Sequence, residues 1–132
     1  MPAKILIVED HDDFRESVKK FLRMNLRGFQ ILETSSAEAG IALALKEHPN
    51  IILMDVRLPE MNGIDAAVRI KESFPECDII VLTIFETEIF RDIFKNSAIT
   101  EYIGKSELFQ RLMPAIKRIL EKKRHHEKCA KK

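Results

Sequence analysis

The chain has 132 residues, 45% of them apolar and 33% charged, with a formal net charge of +1. That is the size and make-up of one globular domain with a real core, and it is short for two. The near-neutral balance gives no case for a basic nucleic-acid binder, although residues 121–132 gather six Lys/Arg against two Glu.

Residues 4–8, KILIV, form a short apolar run that ends in Glu9 and Asp10. Such a run is too short for a helix and reads as a strand buried on both faces. From 13 to 26, Phe14, Val18, Phe21, Leu22 and Leu26 recur at helical spacing. Asp13 is the expected cap of that helix, with Glu16 three residues on as its box partner. A weaker strand is expected over 29–33, then an alanine-rich helix over 36–47. The third strand, 51–54, is followed directly by Asp55. Pro59 and Gly63 punctuate a loop before a helix over 64–73, which ends before Pro75.

The fourth strand, 79–82, ends in Thr83. Ile89, Phe90, Ile93 and Phe94 predict a helix over 87–96. A weaker strand over 99–103 leads to Lys105, and Leu108, Leu112, Ile116, Ile119 and Leu120 predict a last helix from 107 to about 123. Ser106 is a candidate cap there, and Pro114 should kink that helix or break one of its backbone bonds.

Five strand-helix units in alternation argue for an α/β fold with a parallel sheet covered on both faces. Right-handed crossovers leave few arrangements. The expectation is a doubly wound five-stranded sheet of order 2-1-3-4-5, a flavodoxin-like three-layer sandwich. One domain spans 1–122, and 123–132 is a basic tail or the start of a linker.

In such a sheet, ligands bind beyond the carboxyl ends of the strands, where strand order reverses. Glu9 and Asp10 end strand one and Asp55 ends strand three, so three carboxylates meet there. A charge at the end of a buried strand is costly unless paired, hydrated or bound to a metal. A hard divalent ion with oxygen ligands resolves the repulsion, and Mg²⁺ suits few carboxylates and retained waters. Thr83 and Lys105 bring a hydroxyl and a cation to the neighbouring strand ends. Singly, each has a plainer reading: helix-capping acids at 9 and 10, a loop aspartate at 55, a solvated Lys105. Their common placement at strand ends shifts the odds.

The stretches ILIVEDHDDFR, IILMDVRLPEMNGID, IIVLT and EYIGK together resemble the receiver domain of two-component response regulators. The resemblance spans residues 4 to about 120. The Asp-x-x-x-Pro-x-x-x-Gly spacing from Asp55 is its most specific single piece. The 2-1-3-4-5 order is also that family's order, so the two expectations are not independent.

The resemblance implies that Asp55 accepts a phosphoryl group from a phosphohistidine on a sensor histidine kinase or phosphotransfer protein. It implies Mg²⁺ held by Glu9, Asp10, Asp55 and the backbone carbonyl of Arg57. Lys105 and Thr83 would bond the phosphoryl oxygens, and Thr83 with Tyr102 would form the switch. Without the resemblance, Tyr102 reads as an ordinary edge-strand tyrosine. The face of the fourth helix, fifth strand and fifth helix would change on phosphorylation and serve a homodimer or an output partner, with Phe90 and Phe94 contributing if exposed. The start EDHDDFRESVKKFL resembles receivers that precede helix-turn-helix domains, so DNA enters only through an output domain absent from this chain.

Several positions depart from the family pattern. Ile84 stands where receivers generally carry a small residue, and its bulk should narrow access to Asp55. Ser106 stands where proline with a cis bond is frequent. Ser97 and Glu101 replace common glycines. Arg57 and Phe85, two residues beyond Asp55 and Thr83, are expected to tune the lifetime of the phosphorylated state.

Three other readings compete with this one. An aspartate-nucleophile phosphatase wants a second aspartate where Arg57 stands. A flavodoxin-like cofactor binder wants a phosphate-cradling loop where this chain has EDHDD. A receiver that never takes phosphate would be only an interaction module; the full set of acids, threonine and lysine argues against it. The expected chain is therefore no enzyme beyond its own phosphorylation and dephosphorylation. Cys77 and Cys129 form no metal motif, no apolar run approaches membrane-spanning length, and the N-terminus lacks a signal-peptide pattern, so the cytoplasm is the default. His125 and His126 are given no role.

Overall fold

The computed structural model describes residues 3–84 and 98–130, the side chains of 124–130 excepted. The strands are β1 (Ala3–Val8), β2 (Phe29–Thr34), β3 (Ile51–Asp55), β4 (Asp78–Thr83) and β5 (Glu101–Gly104). The helices are α1 (Asp12–Asn25), α2 (Ala37–Glu47), α3 (Gly63–Ser73) and α4 (Leu108–Ala130), with a 3₁₀ turn at Lys105–Glu107. The helix expected over 87–96, with Phe90 and Phe94, lies outside the described residues, as do Phe85 and Ser97.

The strands form one parallel sheet in the order β2-β1-β3-β4-β5, as expected. Strand periodicity divides the core in two. Ile5, Ile7, Ile51, Leu53, Ile80 and Leu82 point to one face, covered by Val18 and Leu22 of α1 and by Leu108, Leu112 and Ile116 of α4. Leu6, Val8, Ile52, Met54, Ile79 and Val81 point to the other, covered by Ala37 and Ala44 of α2 and by Ala66, Ala67 and Ile70 of α3. Both faces are closed, which is why the central strands read as continuous apolar runs rather than alternating ones. Each fully buried Ile or Leu contributes about 1.5–3 kcal/mol relative to exposure, and this burial holds the strand ends in place.

Some local expectations change. Asp13 does not cap α1: the helix begins at Asp12, and His11 holds the N-cap position with no side-chain cap bond. Glu16 faces Lys19 at 3.3 Å, one helical turn on, so the capping box is not formed. Ser36 does cap α2, accepting from Ala39 N at 3.1 Å. Ser106 sits inside the 3₁₀ turn, not at the residue before α4. No described peptide bond is cis, so the one before Ser106 is trans. Helix α4 runs through Pro114 and on to Ala130, so the basic tail has a helical backbone. Lys123 pins that helix to the amino edge of the sheet, donating to Asn50 O at 2.6 Å and pairing with Asp78 Oδ2 at 3.2 Å. No described helix is long and apolar enough to cross a membrane.

Candidate functional site

The carboxyl edge of the sheet collects the acids where the sequence places them. Strand β1 lies between β2 and β3, so chain connections leave it in opposite directions and a crevice opens above it. Glu9 follows β1 and Asp55 is the last residue of β3. Carboxylate oxygens of Glu9, Asp10 and Asp55 all lie within 4.8 Å of one another. Glu9 and Asp55 are 1% and 4% exposed, while Asp10 faces solvent.

Lys105, just beyond β5, reaches across to this cluster. Its Nζ lies 3.0 Å from Glu9 Oε1 and 3.3 Å from Asp55 Oδ1. The same ammonium sits 4.5 Å from the centroid of Phe14 on α1, whose ring packs beneath it. Thr83 ends β4 and is buried, and Ile84 beside it is 56% exposed. Asp55, Arg57, Thr83, Ile84 and Lys105 line one cleft of about 390 Å³. Ile84 therefore stands on the wall of the cleft that holds Asp55.

The loop after Asp55 is held by its own side chains. Asn62 caps α3, its Oδ1 accepting from Ile64 N at 2.7 Å, and Gly63 N donates to Val56 O at 2.8 Å. An added β-carbon at Gly63 would lie 1.9 Å from the Asp55 carbonyl oxygen. Gly63 thus lets the start of α3 lie directly on the main chain of Asp55, and this close approach is the physical content of the Asp-to-Gly spacing. Arg57 is exposed on this loop and bridges to Asn62. Glu60 turns the other way, its Oε2 accepting from Ala37 N at the start of α2 at 3.2 Å.

Electrostatically the cluster is unfinished. Burial is the main cause that raises the Glu9 carboxyl to a pKa of about 8, with the neighbouring Asp55 adding to it and Lys105 opposing. Glu9 Oε2 is buried and has no hydrogen-bond partner. An orphaned carboxylate oxygen, two adjacent acids and a shared opening to solvent fit a small oxygen-loving dication, which would replace the proton on Glu9.

Tyr102 lies on β5 three residues before Lys105. Its ring packs against the α2–α3 side of the core and its hydroxyl oxygen is enclosed. Two contributors escaped the sequence reading: Arg15, which bonds the Glu9 carbonyl at 2.6 Å, and Glu60. Nothing in residue spacing pointed to either, because both reach main-chain atoms across a loop.

The family described as "Response regulator receiver domain" matches residues 5–117. The transcriptional regulatory protein DegU of Brevibacillus brevis is 29% identical over 114 residues, which cover 86% of this chain and 48% of that protein. The response regulator GacA of Pseudomonas aeruginosa is 26% identical over 92% of this chain and 57% of its own length. The chain thus spans about half the length of these curated relatives. Among solved structures, a CheY-like response regulator receiver domain protein from Methanospirillum hungatei is similar with a TM-score of 0.84 and 25% identity, over 96% of this chain and 99% of that one.

Proposed function

Given that the chain belongs to the response regulator receiver domain family, we propose that Asp55 is its phosphoacceptor and that a sensor histidine kinase or phosphotransfer protein is the donor. The observation that carries this reading is the placement of Asp55. It is buried at the switch point, holds a carboxylate oxygen within 4.8 Å of those of Glu9 and Asp10, and lies 3.3 Å from Lys105 Nζ.

In the transfer, an Asp55 carboxylate oxygen attacks the phosphorus of a phosphohistidine in line. The new O–P bond forms as the P–N bond breaks, and the electron pair leaves on the donor imidazole. Glu9, Asp10, Asp55 and the Arg57 carbonyl would hold Mg²⁺, which supplies positive charge to the phosphoryl oxygens when bound. Lys105 neutralises Asp55 before transfer and takes a phosphoryl oxygen afterwards. The Thr83 hydroxyl, at the neighbouring strand end, donates to another. Arg57 borders the same cleft and tunes how long the acyl phosphate lasts; Phe85 is assigned the same role from the sequence.

A phosphoryl group adds about −1.5 to −2 charge at a buried strand end. Movement of Thr83 toward it, followed by Tyr102, would alter the surface around β5 and α4. Glu101 there accepts from Arg118 at 2.6 and 2.9 Å, an exposed pair free to exchange partners with a second copy. The reading places the chain in the cytoplasm, with Mg²⁺ as its cofactor, its own phosphorylation and dephosphorylation as its only chemistry, and any DNA contact left to an output domain.

Incubation with a phosphorylated histidine kinase and Mg²⁺, followed by intact mass measurement, tests the proposal. The wild-type chain should gain one phosphoryl group and Asp55→Ala none; equal gain in both would remove Asp55 from the role.

A further inference from the structure

We infer that Arg15 is a positioning residue for the metal-binding acids, fixing the main chain that carries Glu9 and Asp10. This rests on the reading of Glu9, Asp10 and Asp55 as a Mg²⁺ site.

Arg15 lies in the first turn of α1, and its side chain is only 16% exposed. It folds back beneath the loop that joins β1 to α1. Its guanidinium makes three bonds to three different segments. Nη1 donates to Glu9 O at 2.6 Å, Nη2 to Asp12 Oδ1 at 2.7 Å, and Nε to Glu33 Oε1 at 3.1 Å. Glu33 belongs to β2 and is held from the other side by Lys19.

The Glu9 carbonyl is the one that matters. The β1–β3 ladder stops at Val8 and Met54, so β3 offers Glu9 no register partner. The Glu9 N–H is taken by Thr34 O of β2 at 3.1 Å. Its carbonyl begins the peptide bond to Asp10, and Arg15 grips that oxygen while bolted to Glu33 of the same β2. The main chain of Glu9 is therefore tied to β2 on both sides, directly through its N–H and by way of Arg15 through the carbonyl of the Glu9–Asp10 peptide. Release of the carbonyl frees that peptide to rotate, moving Asp10 directly and the root of Glu9 with it. A lysine has no planar fork and cannot make the three bonds at once.

The sign of the effect separates positioning from simple charge. Arg15 is a cation bonded to the main chain of a Mg²⁺ ligand. By field alone, its removal should tighten binding of a dication. A positioning role predicts the opposite, a weakening of about ten-fold or more, the usual cost of losing an outer partner of a metal site.

The test is a calorimetric titration of the full chain with MgCl₂ for wild type, Arg15→Ala, Arg15→Lys and Asp10→Asn. We expect Kd to rise about ten-fold or more in both Arg15 variants, while the phosphorylation rate at saturating Mg²⁺ stays near wild type. Affinity would then be lost without loss of the chemical step. Unchanged or tighter Mg²⁺ binding by Arg15→Ala overturns the inference. Should that variant fail to fold, unchanged binding by the charge-preserving Arg15→Lys overturns it equally. Wild type that binds no Mg²⁺, or Asp10→Asn that binds as well as wild type, would instead overturn the metal-site reading on which the inference stands.

Discussion

Lys105 Nζ meets Glu9 Oε1 at 3.0 Å, a contact across 96 residues of sequence that ties the last strand to the first over the mouth of the sheet. Loss of one partner from a buried pair normally costs about 3–5 kcal/mol, because a bare charge is left behind. Here Glu9, its pKa raised to about 8 mainly by burial, already carries a proton at neutral pH, so removal of the lysine leaves no bare charge. Lys105→Ala should therefore cost only about 1–2 kcal/mol at neutral pH without Mg²⁺, the scale of a lost hydrogen bond. Urea unfolding measures it; a cost above about 3 kcal/mol would mean that Glu9 stays ionised without its lysine.

The same acid gives a pH dependence with a definite sign. The folded pKa of Glu9, about 8, stands above its ordinary value of 4.5. Between those values the folded state holds a proton that the unfolded chain releases. Stability from this group is thus complete below about pH 4.5, falls as pH rises toward about 8, and is flat above. The metal-free protein should show this decline, and Glu9→Gln should lack it. The two slopes, taken from urea midpoints at successive pH values, should differ only in that window.

Gly63 and Gly40 are both crowded but make different predictions. A β-carbon at Gly63 meets backbone, the Asp55 carbonyl oxygen at 1.9 Å, whereas one at Gly40 meets the two methyls of Val8 at 2.8 and 3.1 Å. Backbone cannot step aside, and Val8 is buried and stiff, so both sites must shift to take a methyl. Gly63→Ala should lose about 1–3 kcal/mol and slow phosphorylation by displacing Asp55. Gly40→Ala should also lose stability, offset in part by about 1 kcal/mol of helix propensity, but it should leave the phosphorylation rate near wild type. Equal slowing of phosphorylation in the two variants would contradict this account of the Asp-to-Gly spacing.

Much of this architecture was legible in the sequence because the central strands are buried on both sides. Ile5–Val8 and Ile51–Met54 read as strands of a sheet closed on both faces, and the acids that follow them then fall together. Local capping was less legible. HDD offers three adjacent starts for α1, and ion pairs one turn apart within the helix compete for the capping acids: Arg15 draws Asp12 and Lys19 draws Glu16. Extension of the last helix into the tail stayed one reading among several because the composition there, rich in Lys and His, gives no apolar stripe beyond Leu120. Arg15 and Glu60 were invisible because each bonds a main-chain atom, and main-chain atoms leave no mark on residue type. The place of Lys105 at the edge that holds the acids followed from the strand pattern and its pairing with Asp55 from resemblance to a known family, while its contact with Glu9 was in neither.

Ile84 offers a direct probe of access. It is exposed, so truncation removes little buried area, yet it stands on the cleft wall with Asp55 and Thr83. Ile84→Ala should leave thermal stability nearly unchanged while raising the rate of phosphorylation by acetyl phosphate several-fold. An unchanged rate would show that Ile84 does not limit entry.

The central claim is that Asp55, among three clustered acids, alone accepts the phosphoryl group. Borohydride reduces an acyl phosphate to the alcohol, so reduction of the phosphorylated chain followed by peptide mass mapping marks the esterified residue. The account predicts conversion of Asp55 to homoserine. Conversion at Glu9 or Asp10, or none in a chain that carries phosphate, would contradict it.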